Sequence, residues 1–187
     1  PAGKHDHFDL VFGDLAMRMT DPRRFGAVLW HPIEQGPAVN HALLKNLGLE
    51  PFDSAFCGEY LYQKCRNRKN DIKLALLSGK IVVGVGNIYA SESLFAAGIH
   101  PKTPAGRIGR NRCDNLVEAI RAVLNAALQQ GGSSLRDFAG VDGQSGYFQL
   151  NCSVYGRAGQ PCRVCGSAIR QIRQGQRSTF YCAVCQK

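Results

Sequence analysis

The chain has 187 residues, of which 44% are hydrophobic, and it carries a formal net charge of +9. This length is sufficient for one large globular domain or two small ones with a buried core. No apolar run approaches the roughly 18 residues of a membrane span, so no membrane partner is expected; the charge favours a polyanionic partner, although a soluble basic protein without one has the same composition.

The first thirty residues predict three short strands. Two alternating runs, residues 8–12 and 15–19, flank Gly13-Asp14 in the pattern of a β-hairpin. Residues 25–30 predict a third strand, which Pro32 ends. Because three short strands cannot close into a sandwich or a barrel, we expect residues 1–36 to be the C-terminal strands of a truncated β-sandwich domain.

A turn with two adjacent arginines separates the second and third predicted strands. Its sequence is Asp21-Pro22-Arg23-Arg24-Phe25, and guanidinium groups beside an aromatic ring can enter a nucleic-acid groove. A solvated turn, in which Phe25 is the first core residue of the next strand, explains the same residues. The local sequence leaves both interpretations open.

Helical patterns begin near residue 39, and residues 37–150 predict a helical domain. The first predicted helix ends at Gly48, and its short apolar stripe consists of three leucines, Leu43, Leu44 and Leu47.

Two further helices are predicted in the following segment. One lies near residues 59–68, whose last part is rich in lysine and arginine. The other covers residues 72–78, with Asp71 as its N-cap and Gly79 as its stop.

A glycine-rich turn precedes the fourth predicted helix, which ends at Gly98. Backbone amides at a helix N-terminus, with Asn87 beside them, form a ready anion site. A dinucleotide-binding fold is the competing interpretation of residues 84–86, but Tyr89 stands where the third glycine should be, and no βαβ unit surrounds it. The pattern therefore favours a helix–two-turns–helix motif that holds the phosphates of one strand.

A longer amphipathic helix follows, with Asn111 as its predicted N-cap and Gly131 as its end. After it, residues 131–148 contain many small residues and end in two aromatics, which is typical either of a linker or of a mobile lid over a ligand. The apolar face of the helix is expected to be core and consists of Leu116, Ile120, Val123, Leu124, Ala127 and Leu128.

The strongest motif is a set of four cysteines near the C-terminus, in two Cys-x-x-Cys pairs with sixteen residues between them: Cys162, Cys165, Cys182 and Cys185. Two such pairs on a β-hairpin supply the four thiolates of a structural zinc site, whereas two disulfides or four free thiols are the competing interpretations. Residues 151–187 contain no acidic residue, so this predicted zinc finger is basic. The other four cysteines show no paired spacing, which fits buried or free thiols in a reducing cytosol.

Seven motifs occur in one order along the chain, at residues 4–7, 20–26, 84–92, 98–101, 145–148, 154–157, and in the four-cysteine hairpin with residues 176–181. Together they resemble the formamidopyrimidine-DNA glycosylase and endonuclease VIII family of base-excision repair enzymes. The resemblance covers essentially the whole chain and is nearest to the bacterial formamidopyrimidine branch, which removes oxidised purines such as 8-oxoguanine. It implies an α+β fold with a partial β-sandwich, a helix–two-turns–helix domain and a four-cysteine zinc-finger hairpin over residues 151–187.

The resemblance also implies roles at the lesion, because these enzymes flip the damaged nucleotide out of the duplex. Arg23 would face the orphaned partner base, Phe25 would fill the neighbouring step, and Tyr89 would stand near the flipped nucleotide. The segment 142–148 resembles the lid that closes over the extruded base, and Ser145, Gly146 and Tyr147 within it would contact the DNA.

A second group of residues would hold backbone phosphates around the lesion, again by resemblance: His5, Arg24, Arg68, Lys73, Asn87 and Arg177. Arg177 also resembles the residue assigned as proton donor in the final elimination step. The metal would do no chemistry, since four thiolates leave no open position for water.

One departure from the family concerns the nucleophile. The family uses an N-terminal proline followed by glutamate, with a lysine in the same domain, whereas Ala2 follows Pro1 here and His5 lies only four residues on. We therefore expect the nucleophile, its glutamate and its lysine to lie outside this chain. The chain alone should show neither glycosylase nor lyase activity.

The sequence therefore predicts the C-terminal part of a bifunctional DNA glycosylase and AP lyase, whose intact parent excises oxidised purines and nicks the abasic site by β,δ-elimination. The expected partner is damaged double-stranded DNA, the expected cofactor is one structural Zn²⁺, and the expected state is a cytoplasmic bacterial monomer. A non-catalytic, zinc-dependent protein that binds damaged DNA and a zinc-ribbon scaffold for protein partners are the alternatives.

Overall fold

The structure is a computed structural model that describes residues 2–22, 24–130 and 151–187. Its helices and strands form an α+β fold, and the chain divides into two compact units, residues 1–45 and 46–187. Among the described residues, none of the helices combines the length and apolar character needed to cross a membrane.

The first unit is built on one β-hairpin, as predicted. Strands β1 (Asp6–Phe12) and β2 (Leu15–Thr20) pair antiparallel, with Phe12 opposite Leu15 across the turn. Gly13 has a φ of 56°, a left-handed conformation that tight hairpin turns need and that glycine adopts without strain.

The predicted third strand is wrong. Residues 25–30 are all described and belong to no strand. A turn that Asp21 holds precedes them, Arg24 has a φ of 56°, and the described part of this unit offers no further strand as a ladder partner. An apolar run without a neighbouring strand cannot form a sheet, whatever its propensity.

The helix predicted around the three leucines is also wrong. Only two single-turn 3₁₀-helices form in this region, Ile33–Gln35 and Ala38–Asn40. Leu43 and Leu47 are 62% and 53% exposed, so the stripe finds no surface to pack against. A short helix without tertiary packing is marginal in water, which explains why a turn forms instead.

The core of the second unit consists of four helices: α1 (Gly58–Cys65), α2 (Ile72–Leu77), α3 (Asn87–Ala96) and α4 (Arg110–Gln129). Helices α1 and α3 pack on α4. Gly58 permits the close approach of α1, since a Cβ at this position would overlap Asp114 of α4. The interior is mainly apolar, and its fully buried members include Leu61, Ile72, Leu76, Leu94, Leu116 and Ile120.

The helix ends agree with the prediction at the glycines and differ elsewhere. Gly79 and Gly98 follow α2 and α3 with φ values of 68° and 65°, the left-handed geometry of a helix C-terminus. Helix α1 ends at Cys65, earlier than predicted, because Asn67 turns the chain with a φ of 62°.

Two details of the prediction for α4 are wrong. Gly109 is its N-cap, and Asn111 is already the second helical residue. Leu128 is 67% exposed, because it lies beyond the part of the helix that the core covers, whereas Leu124 and Ala127 are buried. The predicted end at Gly131 lies outside the described residues.

The C-terminal hairpin forms as predicted, from strands β3 (Arg170–Gln174) and β4 (Arg177–Tyr181). Gly175 and Gln176 join the strands, both with positive φ, as in a type I′ turn. The hairpin has a small apolar cluster of its own, which contains Val154, Ile169 and Phe180 and against which Phe95 of α3 packs.

Gln186 links the hairpin to the helices. Its side-chain oxygen accepts a hydrogen bond from the Cys182 amide at 2.8 Å, and its side-chain nitrogen donates to the Ile99 carbonyl at 2.8 Å. The side chain is buried, so both bonds are protected from water. A single amide therefore ties the second cysteine pair to the loop that follows α3.

Candidate metal centre and nucleic-acid interface

The four C-terminal cysteines converge on one point. Their sulfurs all lie within 4.8 Å of one another, with Cys162 Sγ 3.9 Å from Cys185 Sγ and Cys165 Sγ 3.4 Å from Cys182 Sγ. A tetrahedral zinc ion with Zn–S bonds of about 2.3 Å would place its sulfurs about 3.8 Å apart. The four cysteines are therefore positioned to bind one metal ion, as their spacing predicted.

Each cysteine pair is shaped by a tight turn that directs its sulfurs inward. In the first pair, the Gly166 amide donates to the Cys162 carbonyl at 2.9 Å, and the Val164 amide donates to Cys162 Sγ at 3.5 Å. The second pair has the corresponding bond from the Gln186 amide to the Cys182 carbonyl at 3.1 Å. Such knuckles direct the two sulfurs of a pair towards one metal position.

The electrostatics of the cluster also favour a cation. Hydrogen bonds from Ser167, above all from its backbone amide, lower the pKa of Cys165 to about 6. The neighbouring Cys165 sulfur, followed by burial, raises the pKa of Cys185 to about 12. Four sulfurs at this spacing cannot all ionise without a counter-charge, and Zn²⁺ supplies it.

The other cysteines behave as the sequence predicted. None of the eight forms a disulfide, Cys57 is exposed, and three lie in the interior. Burial raises the pKa of Cys65 to about 11 and those of Cys113 and Cys152 to about 12, so these three thiols stay protonated and unreactive at neutral pH.

Arg177 stands at the tip of the zinc hairpin, as the first residue of β4. It is exposed, and across the ladder it faces Gln174, the last residue of β3. Gln174 is itself buried, and its side-chain nitrogen donates to Asp71 Oδ2 at 2.7 Å and to the Pro101 carbonyl at 3.3 Å. The hairpin tip is therefore fixed on one side to the start of α2, while Arg177 faces solvent.

Asn87 and Lys73 meet the hairpin just beyond Arg177. Asn87 begins α3 and donates its side-chain amide to the Ser178 carbonyl at 3.0 Å and to the Tyr155 hydroxyl at 3.3 Å. Lys73 Nζ donates to Thr179 Oγ1 at 2.7 Å and to the same Ser178 carbonyl at 3.2 Å. The structure thus brings together three of the predicted DNA contacts that are far apart in sequence.

Lys73 differs from the other two because it is not a surface residue. Its side chain is completely buried, and burial, followed by the charge of Arg177, lowers the pKa of its ammonium to about 8. Its hydrogen bonds point to the backbone and side chain of β4. A direct contact with a DNA phosphate therefore remains a prediction for Lys73, and its observed partners are those of a supporting residue.

Two further predicted contacts of the second unit are partly buried. Arg68 follows the end of α1 and donates from Nε to the Lys64 carbonyl at 2.7 Å, which fixes its guanidinium near the basic turn. Tyr89 lies in the first turn of α3 and packs against two apolar clusters. Both residues keep part of their side chains at the surface.

The remaining predicted contacts belong to the first unit, and all three are exposed: His5, Arg24 and Phe25. Asp21 shapes their turn, since its carboxylate accepts a hydrogen bond from the Gly26 amide at 2.6 Å. Phe25 is 80% exposed, so the interpretation in which it begins a buried strand is wrong. Arg23 and the lid residues Ser145, Gly146 and Tyr147 lie outside the described residues.

Glu92, which is buried in α3, has a structural role that its local sequence does not predict. Its carboxylate accepts hydrogen bonds from three successive amides of the segment that leads into the zinc finger: Ser153 at 2.7 Å, Val154 at 2.9 Å and Tyr155 at 2.8 Å. The available signal in the sequence was an acidic residue within a helical segment of otherwise apolar and small residues. Its partners are backbone groups, which no side-chain pattern reveals.

Two family models match the chain. The formamidopyrimidine-DNA glycosylase H2TH domain covers residues 47–139, and the zinc finger found in FPG and IleRS covers residues 159–187. Formamidopyrimidine-DNA glycosylases of Janthinobacterium sp. (strain Marseille) and Herminiimonas arsenicoxydans are 64% and 60% identical to it over 187 residues, which is the whole of this chain and 68% of each relative.

Solved structures agree with these sequence matches. The crystal structure of the MutM (Fpg) protein from Thermus thermophilus superposes with a TM-score of 0.84 at 34% identity, covering all of this chain and 70% of that one. Lactococcus lactis Fpg in complex with abasic-site DNA gives a TM-score of 0.85 at 34% identity, and a mutant of the same protein with Fapy-dG DNA gives 0.86 at 33%; each match covers all of this chain and 68% of the other.

Proposed function

Because the chain belongs to the family of formamidopyrimidine-DNA glycosylases, we propose that it works in base-excision repair by binding duplex DNA at a damaged base. The observation that carries this proposal is the exposed Arg177 at the tip of a basic zinc hairpin, next to the backbone that Asn87 and Lys73 bind. A guanidinium at a fixed point suits a phosphate of a distorted strand. The damaged base would be an oxidised purine such as 8-oxoguanine or a formamidopyrimidine.

The proposed contacts fall into two groups. His5, Arg24, Arg68, Asn87 and Arg177 would bind phosphates, and all of them are at least partly exposed. By resemblance to the family, Arg23 and Phe25 would form the wedge, Tyr89 would stand near the flipped nucleotide, and Ser145, Gly146 and Tyr147 would belong to the lid. The exposure of Phe25 supports this assignment, because a ring that enters the duplex must be accessible in the free protein.

For Arg177 we favour the phosphate contact over proton donation in the final elimination. A guanidinium is a planar, delocalised cation with five N–H donors, so it is better suited to binding an anion than to giving up a proton. Its planar fork can donate two hydrogen bonds to one phosphate. Transition-state charge on the leaving phosphate would be stabilised in the same way.

The chemistry of the family needs a nucleophilic amine, and we propose that residues 1–187 alone do not supply it. Pro1 is followed by Ala2 and not by glutamate, and the chain spans about two thirds of the length of its relatives. Borohydride trapping on duplex DNA with an abasic site tests this proposal. A covalent complex through Pro1 would overturn it.

We also propose three domains, with β-sandwich strands in residues 1–36, a helix–two-turns–helix domain in residues 37–150 and a zinc finger in residues 151–187. The protein would act as a monomer in the bacterial cytoplasm. Sedimentation of the free protein and of its DNA complex tests the stoichiometry; two chains per lesion would contradict it.

The decisive experiment compares two arginines of the same hairpin. Arg177→Ala should weaken binding to a short duplex with an abasic site by about tenfold at low salt, and the loss should shrink as salt rises. Arg170→Ala removes the same charge from the other end of the hairpin, where Arg170 pairs with Tyr181. Equal affinities of the two variants, measured by fluorescence anisotropy, would refute a specific role for Arg177.

A further inference from the structure

The Ser178 carbonyl is held by two helices of the second unit. Lys73 of α2 donates to it at 3.2 Å, and Asn87 of α3 donates to it at 3.0 Å. Lys73 also donates to Thr179 Oγ1 at 2.7 Å. These three bonds, which we call the Ser178 clamp, fix the backbone immediately after Arg177.

A lysine is an energetically unfavourable residue at the buried position 73. Lys73 is completely buried, and no carboxylate among the described residues lies within salt-bridge distance of it. A buried cation with only neutral acceptors is disfavoured by several kcal/mol relative to an apolar side chain of the same volume. A methionine would fill this space with a smaller desolvation penalty, so packing alone does not account for a lysine here.

The zinc site cannot replace the clamp at the hairpin tip. Arg177 is the first residue of β4, and Cys182 follows the end of that strand five residues later, which corresponds to about 16 Å at about 3.3 Å per residue. The metal therefore fixes one end of the hairpin, while the positive-φ turn at Gly175 and Gln176 lies at the other. Side-chain bonds between the hairpin and the helical unit hold that far end: those of Gln174 fix β3, and those of the clamp fix β4.

We infer that Lys73 is a positioning residue, which acts on DNA through Arg177 by holding the Ser178 carbonyl and the Thr179 hydroxyl. This inference rests on the proposed function, since it presumes that Arg177 contacts a phosphate. It assigns Lys73 no contact with the nucleic acid. The clamp sets the direction in which the Arg177 guanidinium leaves the hairpin.

A double-mutant cycle tests the inference. Lys73→Met keeps the length of the side chain and removes its charge and donors. In the parent chain it should weaken binding to the abasic-site duplex by about five- to tenfold, and in the Arg177→Ala background by less than about twofold. Zinc content, measured by mass spectrometry, should remain at one per chain.

The salt dependence separates positioning from direct contact. If Lys73 works through Arg177, Lys73→Met lowers the slope of log affinity against log salt by about one in the parent and leaves it unchanged in Arg177→Ala. A further drop in the Arg177→Ala background would mean that Lys73 itself neutralises a phosphate, which would overturn the inference.

Variants of Thr179 provide an independent test in case Lys73→Met does not fold. Thr179→Val keeps the shape and removes the acceptor, so it should weaken binding in the same Arg177-dependent way, whereas Thr179→Ser should restore most of the affinity. Equal losses in both backgrounds, or none, would overturn the inference. If Arg177→Ala binds DNA with full affinity, the proposed function fails. Any loss of affinity on Lys73→Met would then arise by another route, contrary to the inference.

Discussion

The carboxylate of Glu92, in the middle of α3, accepts a hydrogen bond from the backbone amide of Val154 at 2.9 Å. The amides on either side of Val154 bind the same carboxylate, so one side chain satisfies three consecutive donors of a segment that has no regular secondary structure. This arrangement fixes the entry to the zinc finger on the helical core. It resembles the way in which an acidic residue caps a helix, but its donors come from a loop.

Replacing Glu92 by glutamine should therefore destabilise the protein. The substitution removes the negative charge and replaces one acceptor oxygen by a donor that faces an amide, which should cost about 1–3 kcal/mol of the free energy of unfolding. Urea denaturation of the zinc-loaded protein measures the loss. Glu118→Gln, at an exposed position on α4, is the matched control and should change the stability by less than about 0.5 kcal/mol. Equal stabilities of the two variants would contradict the role assigned to Glu92.

Removal of zinc should destabilise the second unit. The free energy of metal binding is part of the free energy of folding at such sites, so a chelator should lower the melting temperature and weaken DNA binding. Cys182→Ser should reproduce both effects. Cys57→Ser is the control, because Cys57 is exposed and lies outside the cluster. A metal-free protein with unchanged melting temperature and affinity would exclude a structural role for the ion.

Burial of Lys73 should make stability depend on pH in the alkaline range. Its pKa is about 8 in the folded protein and 10.5 in the unfolded chain, so between these values the unfolded state binds more protons and stability rises with pH. The full difference is worth roughly 3 kcal/mol. Below pH 8 both states are protonated, and the cost of the buried charge is constant.

The measurement compares the parent with Lys73→Met by urea denaturation between pH 7 and pH 10.5, without DNA. As pH rises through this window, the free energy of unfolding of the parent should increase relative to that of Lys73→Met. Lys80→Met, which removes an exposed lysine, should show no such difference. Parallel pH profiles for all three proteins would show that Lys73 does not release its proton on folding.

The exposed ring of Phe25 should matter for DNA and not for folding. Phe25→Ala should weaken binding to a duplex with an abasic site by several-fold, because an inserted ring compensates for the unstacking of the neighbouring step. Its melting temperature should equal that of the parent, since the side chain is 80% exposed. Trp30→Ala is the aromatic control at 88% exposure, and an equal loss of affinity in both variants would contradict a wedge at Phe25.

The sequence predicted most of what local chemistry determines. The ends of α2 and α3 follow from glycines that adopt left-handed φ, the first hairpin from a two-residue turn, and the metal ligands from cysteine spacing. The predictions of a third strand and of a helix around the three leucines failed because each element needs a packing partner. The conformational propensity of a segment does not show whether such a partner exists. Elements of this kind depend on tertiary context.

The sequence predicted part of the candidate site: it indicated the types of residue present but not which of them are buried. Lys73 was expected at a phosphate by resemblance to the family, yet its side chain is enclosed by β4 and the helices. Thr179 and Glu92 were not predicted as site residues, because their partners lie at distant positions in the sequence. Pairings across 61 to 106 residues leave no local pattern to detect.

The bond between Lys73 and Thr179 joins residues 106 positions apart, and this separation has a consequence for synthesis. A ribosome that makes about 5–20 residues per second delivers Thr179 roughly 5 to 20 seconds after Lys73. During that interval, the helices can form, but the lysine that they will enclose has no acceptor. The core around α2 is therefore expected to remain open and hydrated at Lys73 until the last strand emerges, which makes the C-terminal hairpin the final step in closing the helical core.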